Sequence, residues 1–259
     1  MLMRYVRDEP IDKLARYTSV MNSFRFLVVF AALSLVFPAL ASAAPWQAAP
    51  VAGKDWKADL ERRHKELIAK NGPGTDAAYR TELLKMRDED QRARGMDPAA
   101  KSKGHVEIAT NLAEIDSALT NELKLDVQTK GWPTISLTGI EASNAAMLVL
   151  THTRDHAWQV SLLPMLINLA DEKKIDGSSL ALVIDKELVF EGKLQRYGTQ
   201  FKQMDDGTIA MYGVEDPGGL DRERAEVMLP PIDVYKQMMA ETYHLKVSNK
   251  IAMAVAQKN

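Results

Sequence analysis

The residues that could do chemistry in this chain are few and scattered. His152 and His156 stand four apart in THTRDHAWQ, with Asp155 between them. On one helix, two imidazoles at that spacing share a face and can hold a metal ion when a third ligand arrives. The glutamate of a His-Glu-x-x-His motif is missing, Arg154 would repel a cation, and no third ligand stands out, so neither a metal nor a cofactor is expected. His152 then reads as a hydrogen-bonded residue at a helix end and His156 as its solvated neighbour. The chain has no cysteine and no Gly-x-Ser-x-Gly elbow, which leaves a covalent nucleophile without a recognisable setting. Asp90, Asp116 and Asp185 could supply paired carboxylates for sugar hydrolysis, but helical aspartates are commonly just solvated. Gly72, Gly74 and Gly139 do not make a phosphate-binding loop, and NGPGTD reads as a connection between helices.

What resists a bland reading is the wealth of uncharged hydrogen-bonding groups in GKLQRYGTQF, residues 192–201. Together with the amides and charges elsewhere it gives a candidate binding set of Asp90, Gln91, Arg94, Trp132, Gln159, Gln195, Tyr197, Thr199 and Gln200. His152 and Asp185 are the candidate catalytic pair, a general base and its orienting carboxylate. Buried amides must find partners, so such a set either knits helices together or lines a polar cleft.

The elements that must position these groups are mostly helices. Residues 55–70 and 76–94 carry apolar residues at three- and four-residue spacing in a charged background, joined by the breaker NGPG: a partly solvated helical hairpin. Ile108, Leu112, Ile115, Leu119, Leu123 and Val127 predict one apolar face of a helix over 106–130, stopped by Gly131. GWPTISLTGIEASNAAMLVL follows as a turn and a small-residue helix buried on most sides. Trp158, Leu162, Leu166 and Leu169 stripe the next helix, with Pro164 inside it. Leu180, Val183, Ile184 and Leu188 stripe another, begun by Asp176 in DGSS.

After Gly192 the period changes. Asp206-Gly207 predicts a two-residue hairpin turn that pairs Met204 with Ile209, Lys202 with Met211 and Phe201 with Tyr212, the last an aromatic cross-strand pair. QRYGTQF is then the first strand, with Gln195, Tyr197, Thr199 and Phe201 on one face and a close approach at Gly198. Two short helices, broken by Pro230-Pro231, complete the pattern. The expected class is mainly α: five or six helices with one β-hairpin, preceded by the charged helical hairpin.

The front end reads as an export signal. Arg25 precedes an apolar run, Phe26 to Leu40, and Ala41-Ser42-Ala43 offers a small-residue cleavage site. The run is shorter than the roughly 20 residues of a spanning helix, so no membrane span is expected in the mature protein. The expected organisation is 1–43 extension and signal, 44–53 flexible tether, 54–104 helical hairpin and linker, 105–245 main domain, and 246–259 tail. Of the 259 residues, 216 then remain, with 28 basic and 32 acidic side chains. A weakly acidic chain without a basic block offers little to a phosphate backbone, so nucleic acid is not an expected partner. Without cysteine, an exported fold has to hold through its core.

DEDQRAR (Asp88 to Arg94), GWPT (Gly131 to Thr134), THTRDHAWQ followed by LLPML, then IDK and GKLQRYGTQF together resemble the successive motifs of a bacterial family known as domain of unknown function 6624. The resemblance spans Glu82 to Tyr235, and Gln-x-Tyr-Gly-Thr-Gln is its most specific part. The family usually has Asp-Arg where this chain has Asp185-Lys186. The resemblance implies a domain and a set of positions, and brings no activity with it. The leading expectation is therefore an exported, periplasmic or secreted module that binds a small polar ligand or peptide through an amide-rich seam. The alternatives are a metal-independent hydrolase of cell-envelope material, with His152 oriented by Asp185, and a purely structural interaction protein. An open cleft lined by these groups favours binding or catalysis, and mutual saturation favours structure.

Overall fold

A computed structural model describes residues 56–96 and 108–256. The expected signal (1–43), the tether (44–53) and most of the linker at 95–104 lie outside the described residues. The hairpin is there, as α1 (Trp56–Asn71) and α2 (Ala77–Ala93). Asp76 caps α2 by accepting from the Tyr79 backbone N–H at 2.9 Å. Tyr79, Leu83, Met86, Asp90 and Ala93 form its buried stripe, so the second arm of the hairpin belongs to the main core.

α3 (Leu112–Lys130) starts later than the apolar period suggested, leaving Ile108 before the helix, and ends where Gly131 turns the chain at φ +79°. A short α4 (Ile135–Thr138) leads into α5 (Ile140–His152), most of whose residues are buried, as its alanines and serine require. α6 (His156–Asp171) runs through Pro164, and α7 (Gly177–Phe190) is capped by Asp176, which accepts from the Ser178 N–H at 2.9 Å. α5 is the central helix, packed by α2, α3, α4 and α7. Leu83, Met86, Leu123, Leu150, Leu166 and Ile184 lie in one continuous core with Tyr197 and Val227.

The β segment is β1 (Phe201–Gln203), β2 (Ile209–Tyr212) and β3 (Val247–Ala252) in the order β1-β2-β3. β1 and β2 are antiparallel, and β2 and β3 are parallel. The hairpin register differs by one residue from the expected one: Phe201 faces Met211, Lys202 faces Ala210 and Gln203 faces Ile209. The cause is the turn. Met204 and Thr208 close a three-residue loop through a 2.8 Å hydrogen bond from Met204 N, and Gly207 takes the left-handed position at φ +77°. Phe201 consequently meets Tyr235, at a 6.0 Å centroid separation, instead of Tyr212. β3 was not expected, since residues 246–259 read as a tail. Between β2 and β3 lie α8 (Leu220–Glu226) and α9 (Ile232–Tyr243), separated by Pro230-Pro231. Phe201, Ile209, Met211, Tyr235 and Met239 make a second, smaller core under the sheet.

α1 is tied down by side chains that donate to the carbonyl ends of two other helices. Arg63 donates to the carbonyls of Ala225 and Glu226 at the end of α8. Lys70 donates to Glu172 O at 2.8 Å and Asn71 to Lys173 O at 2.8 Å, both at the end of α6. Helix C-termini leave carbonyls without intrahelical donors, and cations there also meet the negative end of the dipole.

Candidate functional site

The polar residues separate into two networks. The first surrounds Asp185, in the third turn of α7 and fully buried. Its Oδ1 accepts from the backbone N–H of Arg196 at 2.7 Å and of Tyr197 at 3.0 Å. Its Oδ2 accepts from Thr199 N and from the Thr199 hydroxyl, each at 2.9 Å. Burial raises the Asp185 carboxyl pKa above its usual value, against the downward pull of these donors. Because every neighbour donates and none accepts, the carboxylate form satisfies the site. Segment 195–200 is therefore a loop wrapped on a carboxylate, with Gly198 at φ +64°, and not the strand expected from its alternation. N–H groups that converge on one side chain cannot also form a ladder.

The glutamines close the same loop. Gln195 donates from Nε2 to Tyr212 O at 2.8 Å and Gln200 O at 3.2 Å, and its Oε1 accepts from Gln200 N at 2.8 Å. Gln200 donates to Leu182 O at 3.3 Å and to the Thr199 hydroxyl at 2.9 Å. From the opposite side Arg224, fully buried, donates to the carbonyls of Tyr197, Gly198 and Pro230 and lies 4.7 Å from the Tyr235 ring centroid. Burial lowers its pKa to about 10, where it remains charged at neutral pH. Asp185 thus holds the loop's N–H groups and Arg224 its C=O groups, so two buried charges are compensated through a peptide. Sequence reasoning missed Arg224: in LDRERAEVM it reads as one of several solvated helix charges. Around Asp185 and the two glutamines this network is mutually saturated; Arg224 Nη2 is its one buried polar side-chain atom without a hydrogen-bond partner among the described residues. By the criterion stated above, Asp185, Gln195, Tyr197, Thr199 and Gln200 are scaffold.

The second network gathers the ends of α2, α3 and α5 with the middle of α7. The His152 ring, 2% exposed, sits with Nδ1 2.6 Å from Asp90 Oδ1 and 3.0 Å from Arg94 Nε. One Nδ1 cannot donate to the carboxylate and accept from the guanidinium together. The shorter contact and the ionised carboxylate place the proton between Nδ1 and Asp90. Asp185 therefore does not orient His152, as the sequence suggested; Asp90 does, because α2 lies against α5 while Asp185 faces the loop. Burial, reinforced by Arg94 and Lys186 and opposed by Asp90, drops the His152 pKa to about 4. Burial resists ionisation of Asp90, but His152, Arg94 and the Gln91 amide, 2.9 Å away, outweigh it and leave its pKa below the usual value.

Arg94 reaches on to Asp116 Oδ1 at 2.6 Å, and the two side chains keep 14% and 10% of their exposure. Burial pushes the Asp116 pKa up against that pairing. Lys186 donates to Thr151 O at 2.5 Å, in the last turn of α5, and to Thr153 O at 2.7 Å, just past it, and burial lowers its pKa to about 8. Thr120 joins α3 to this end through the Thr153 hydroxyl at 3.0 Å.

Other expected site residues lie elsewhere. Trp132 is buried in the main core. Gln159 is fully buried, with Nε2 donating to Leu150 O at 2.7 Å, which ties α6 to α5. His156 starts a different helix from His152, stacks on Phe190 at 3.5 Å and meets Glu187 at 2.7 Å. Asp155 caps α6 through the Trp158 N–H at 3.0 Å and pairs with Lys124. Among the described residues no group of three or more His, Cys, Asp or Glu side chains is placed to hold a metal ion, and no helix is long and apolar enough to cross a membrane.

Compared with known families, residues 77–248 match the model of a family of unknown function, DUF6624. That segment takes in α2 through most of the sheet and leaves out α1. No curated protein and no solved structure matches the chain.

Proposed function

The chain belongs to the family of unknown function DUF6624, and from that premise we propose that it is an exported protein that binds a small polar ligand at the centre formed by Asp90, Arg94, Asp116, His152 and Lys186. The amide belt around Asp185 serves as the scaffold that fixes α7, and with it Lys186, against the end of α5. One observation carries the reading. Titratable side chains from α2, α3, α5 and α7 converge, with the pKa values of His152 and Lys186 displaced to about 4 and about 8. Burying charge costs stability unless it is fully paired, and such displaced groups concentrate at functional sites. Arg94 and Lys186 would take an acceptor on the ligand, and Asp116, whose pKa burial raises, would yield its place on Arg94. Export rests on the sequence of residues 1–43 and sets the ligand pool as that outside the cytoplasm.

A second reading has a specific observation behind it. With its Nδ1 proton held on Asp90 and its pKa near 4, His152 is neutral at pH 7. That is the form a general base needs, in a metal-independent hydrolase of envelope material.

A thermal-shift screen of the protein against sugars and peptide-free wall fragments tests the first reading, since a ligand stabilises by mass action. Arg94→Ala should abolish the shift given by any hit. A hit that survives both Arg94→Ala and Lys186→Ala would place binding elsewhere. Turnover of a hit, lost in His152→Ala with binding retained, would favour the hydrolase.

A further inference from the structure

The structure assigns a second ligand site, distant in role from the charged centre: a cleft of about 340 Å³ between α1, the end of α6, the start of α7 and the end of α8. We propose that it takes a short zwitterionic peptide carrying an aliphatic side chain, with a free ammonium and a free carboxylate. The size is that of a small-molecule pocket.

The chemistry follows from which wall groups are already engaged. Arg63 and Lys70 donate to helix carbonyls, and Glu66 pairs with Arg62. Among the described residues, the Lys173 ammonium and the Asp171 and Glu226 carboxylates, all exposed on the cleft wall, make no hydrogen bond or ion pair. A cation alone would face Lys173 and an anion alone would face Asp171 and Glu226. A ligand with both charges can satisfy each. Leu67, Val227 and Met228 supply an apolar surface for its side chain.

An independent observation comes from the backbone. α6 and α8 both end in a Schellman turn: Lys173 N and Lys174 N donate back to Ala170 O and Leu169 O, and Met228 N and Leu229 N to Ala225 O and Arg224 O. The left-handed residue of this turn is ordinarily glycine, as at Gly192 (φ +77°) after α7. Here it is Lys173 at φ +58° and Met228 at φ +63°, and both line the cleft. His244 is the third such residue among those described, at the end of α9, and it does not line the cleft. A side chain in the left-handed region carries strain that glycine lacks, so two such side chains on the wall of one cleft point to a use for them there.

The experiment titrates the purified protein with alanyl-leucine, its N-acetylated form and its C-terminal amide, followed by calorimetry and by amide chemical shifts. The uncapped dipeptide should bind with perturbations at 171–177 and 226–228, and each cap should weaken binding at least tenfold. Lys173→Gly should weaken it by a similar factor while raising Tm by a few degrees, because strain is relieved at an exposed position. A merely structural lysine would not separate the two. Arg94→Ala should leave dipeptide binding unchanged, which distinguishes this site from the charged centre. Absence of binding at 10 mM, equal binding of capped and uncapped forms, unchanged affinity in Lys173→Gly, or loss of binding in Arg94→Ala would each overturn the assignment.

Discussion

Asp185 meets donors on every side, and this determines what its replacement must do. Asp185→Asn removes the charge and turns an amide N–H toward groups that themselves donate. Hydrogen bonds to a charged group are worth about 1.5–3 kcal/mol each, so a loss of at least about 3 kcal/mol is expected in urea unfolding. Tyr197→Phe should change stability by less than about 0.5 kcal/mol. The tyrosine's backbone N–H, and not its hydroxyl, reaches Asp185. His152 gives a pH signature. Its folded pKa, about 4, lies below the 6.5 of a free histidine, so between those values the unfolded chain takes up a proton that the native state refuses. Stability is full above pH 6.5 and falls as pH drops toward 4, by roughly 3 kcal/mol at about 1.4 kcal/mol per pKa unit. Asp90, with its lowered pKa, loses stability in acid as well, whereas Asp116, with its raised pKa, opposes the trend. Chemical denaturation from pH 7 to pH 4.5 should show the slope, and His152→Gln should flatten it. The identity of these residues was legible in the sequence, but their partners were not. His152 and Asp185 share a motif order without sharing a contact, because helix packing joins residues as far apart as 90 and 152.

Among the elements, helices were the most legible: α2, α5, α6 and α7 stand close to where spacing, caps and small residues placed them. Their period of apolar residues is long enough to be unambiguous. The β segment was less so. A three-residue turn in place of a two-residue one moved the whole register, and one buried carboxylate turned an alternating stretch into a loop. Neither effect leaves a trace in local periodicity. The close approach of two turns is a further case. Thr75 N and Asp76 N both donate to Leu137 O, at 2.9 and 2.8 Å. A Cβ on Gly74 (φ +89°) would lie 2.6 Å from Thr138 C and closer still to Gly139 N. Gly74→Ala should therefore cost at least about 2 kcal/mol. Gly72, at φ +77° with nothing within 4 Å of its virtual Cβ, pays only the backbone strain of about 1 kcal/mol when changed to Ala. Thermal unfolding of the two variants side by side checks the difference.

For the whole molecule, the mainly helical class with a small β unit was legible from composition and period. The merging of α2 with the rest was not, because its charged background hides how completely Tyr79, Leu83 and Met86 are buried. Cleavage after Ala43 is expected on export. Mass spectrometry of protein recovered from the envelope or medium should find a chain beginning at Ala44, and an intact 26–40 segment would replace release by anchoring. Incubation with a chelator should leave Tm unchanged, since His152 and His156 are each engaged by a carboxylate from a different helix.

The parallel pairing of β2 with β3 also has a consequence in time. β3 follows Tyr212 only after 34 intervening residues that hold α8 and α9, so its partner edge on β2 must wait for it during synthesis. At roughly 5–20 residues per second, the 40 residues from Tyr212 to Ala252 take about 2–8 s to emerge. Over that interval the newborn hairpin presents an unpaired row of backbone donors and acceptors to whatever else is nascent beside it. A chaperone or an export channel that engages the chain has those seconds in which to act before the sheet can close.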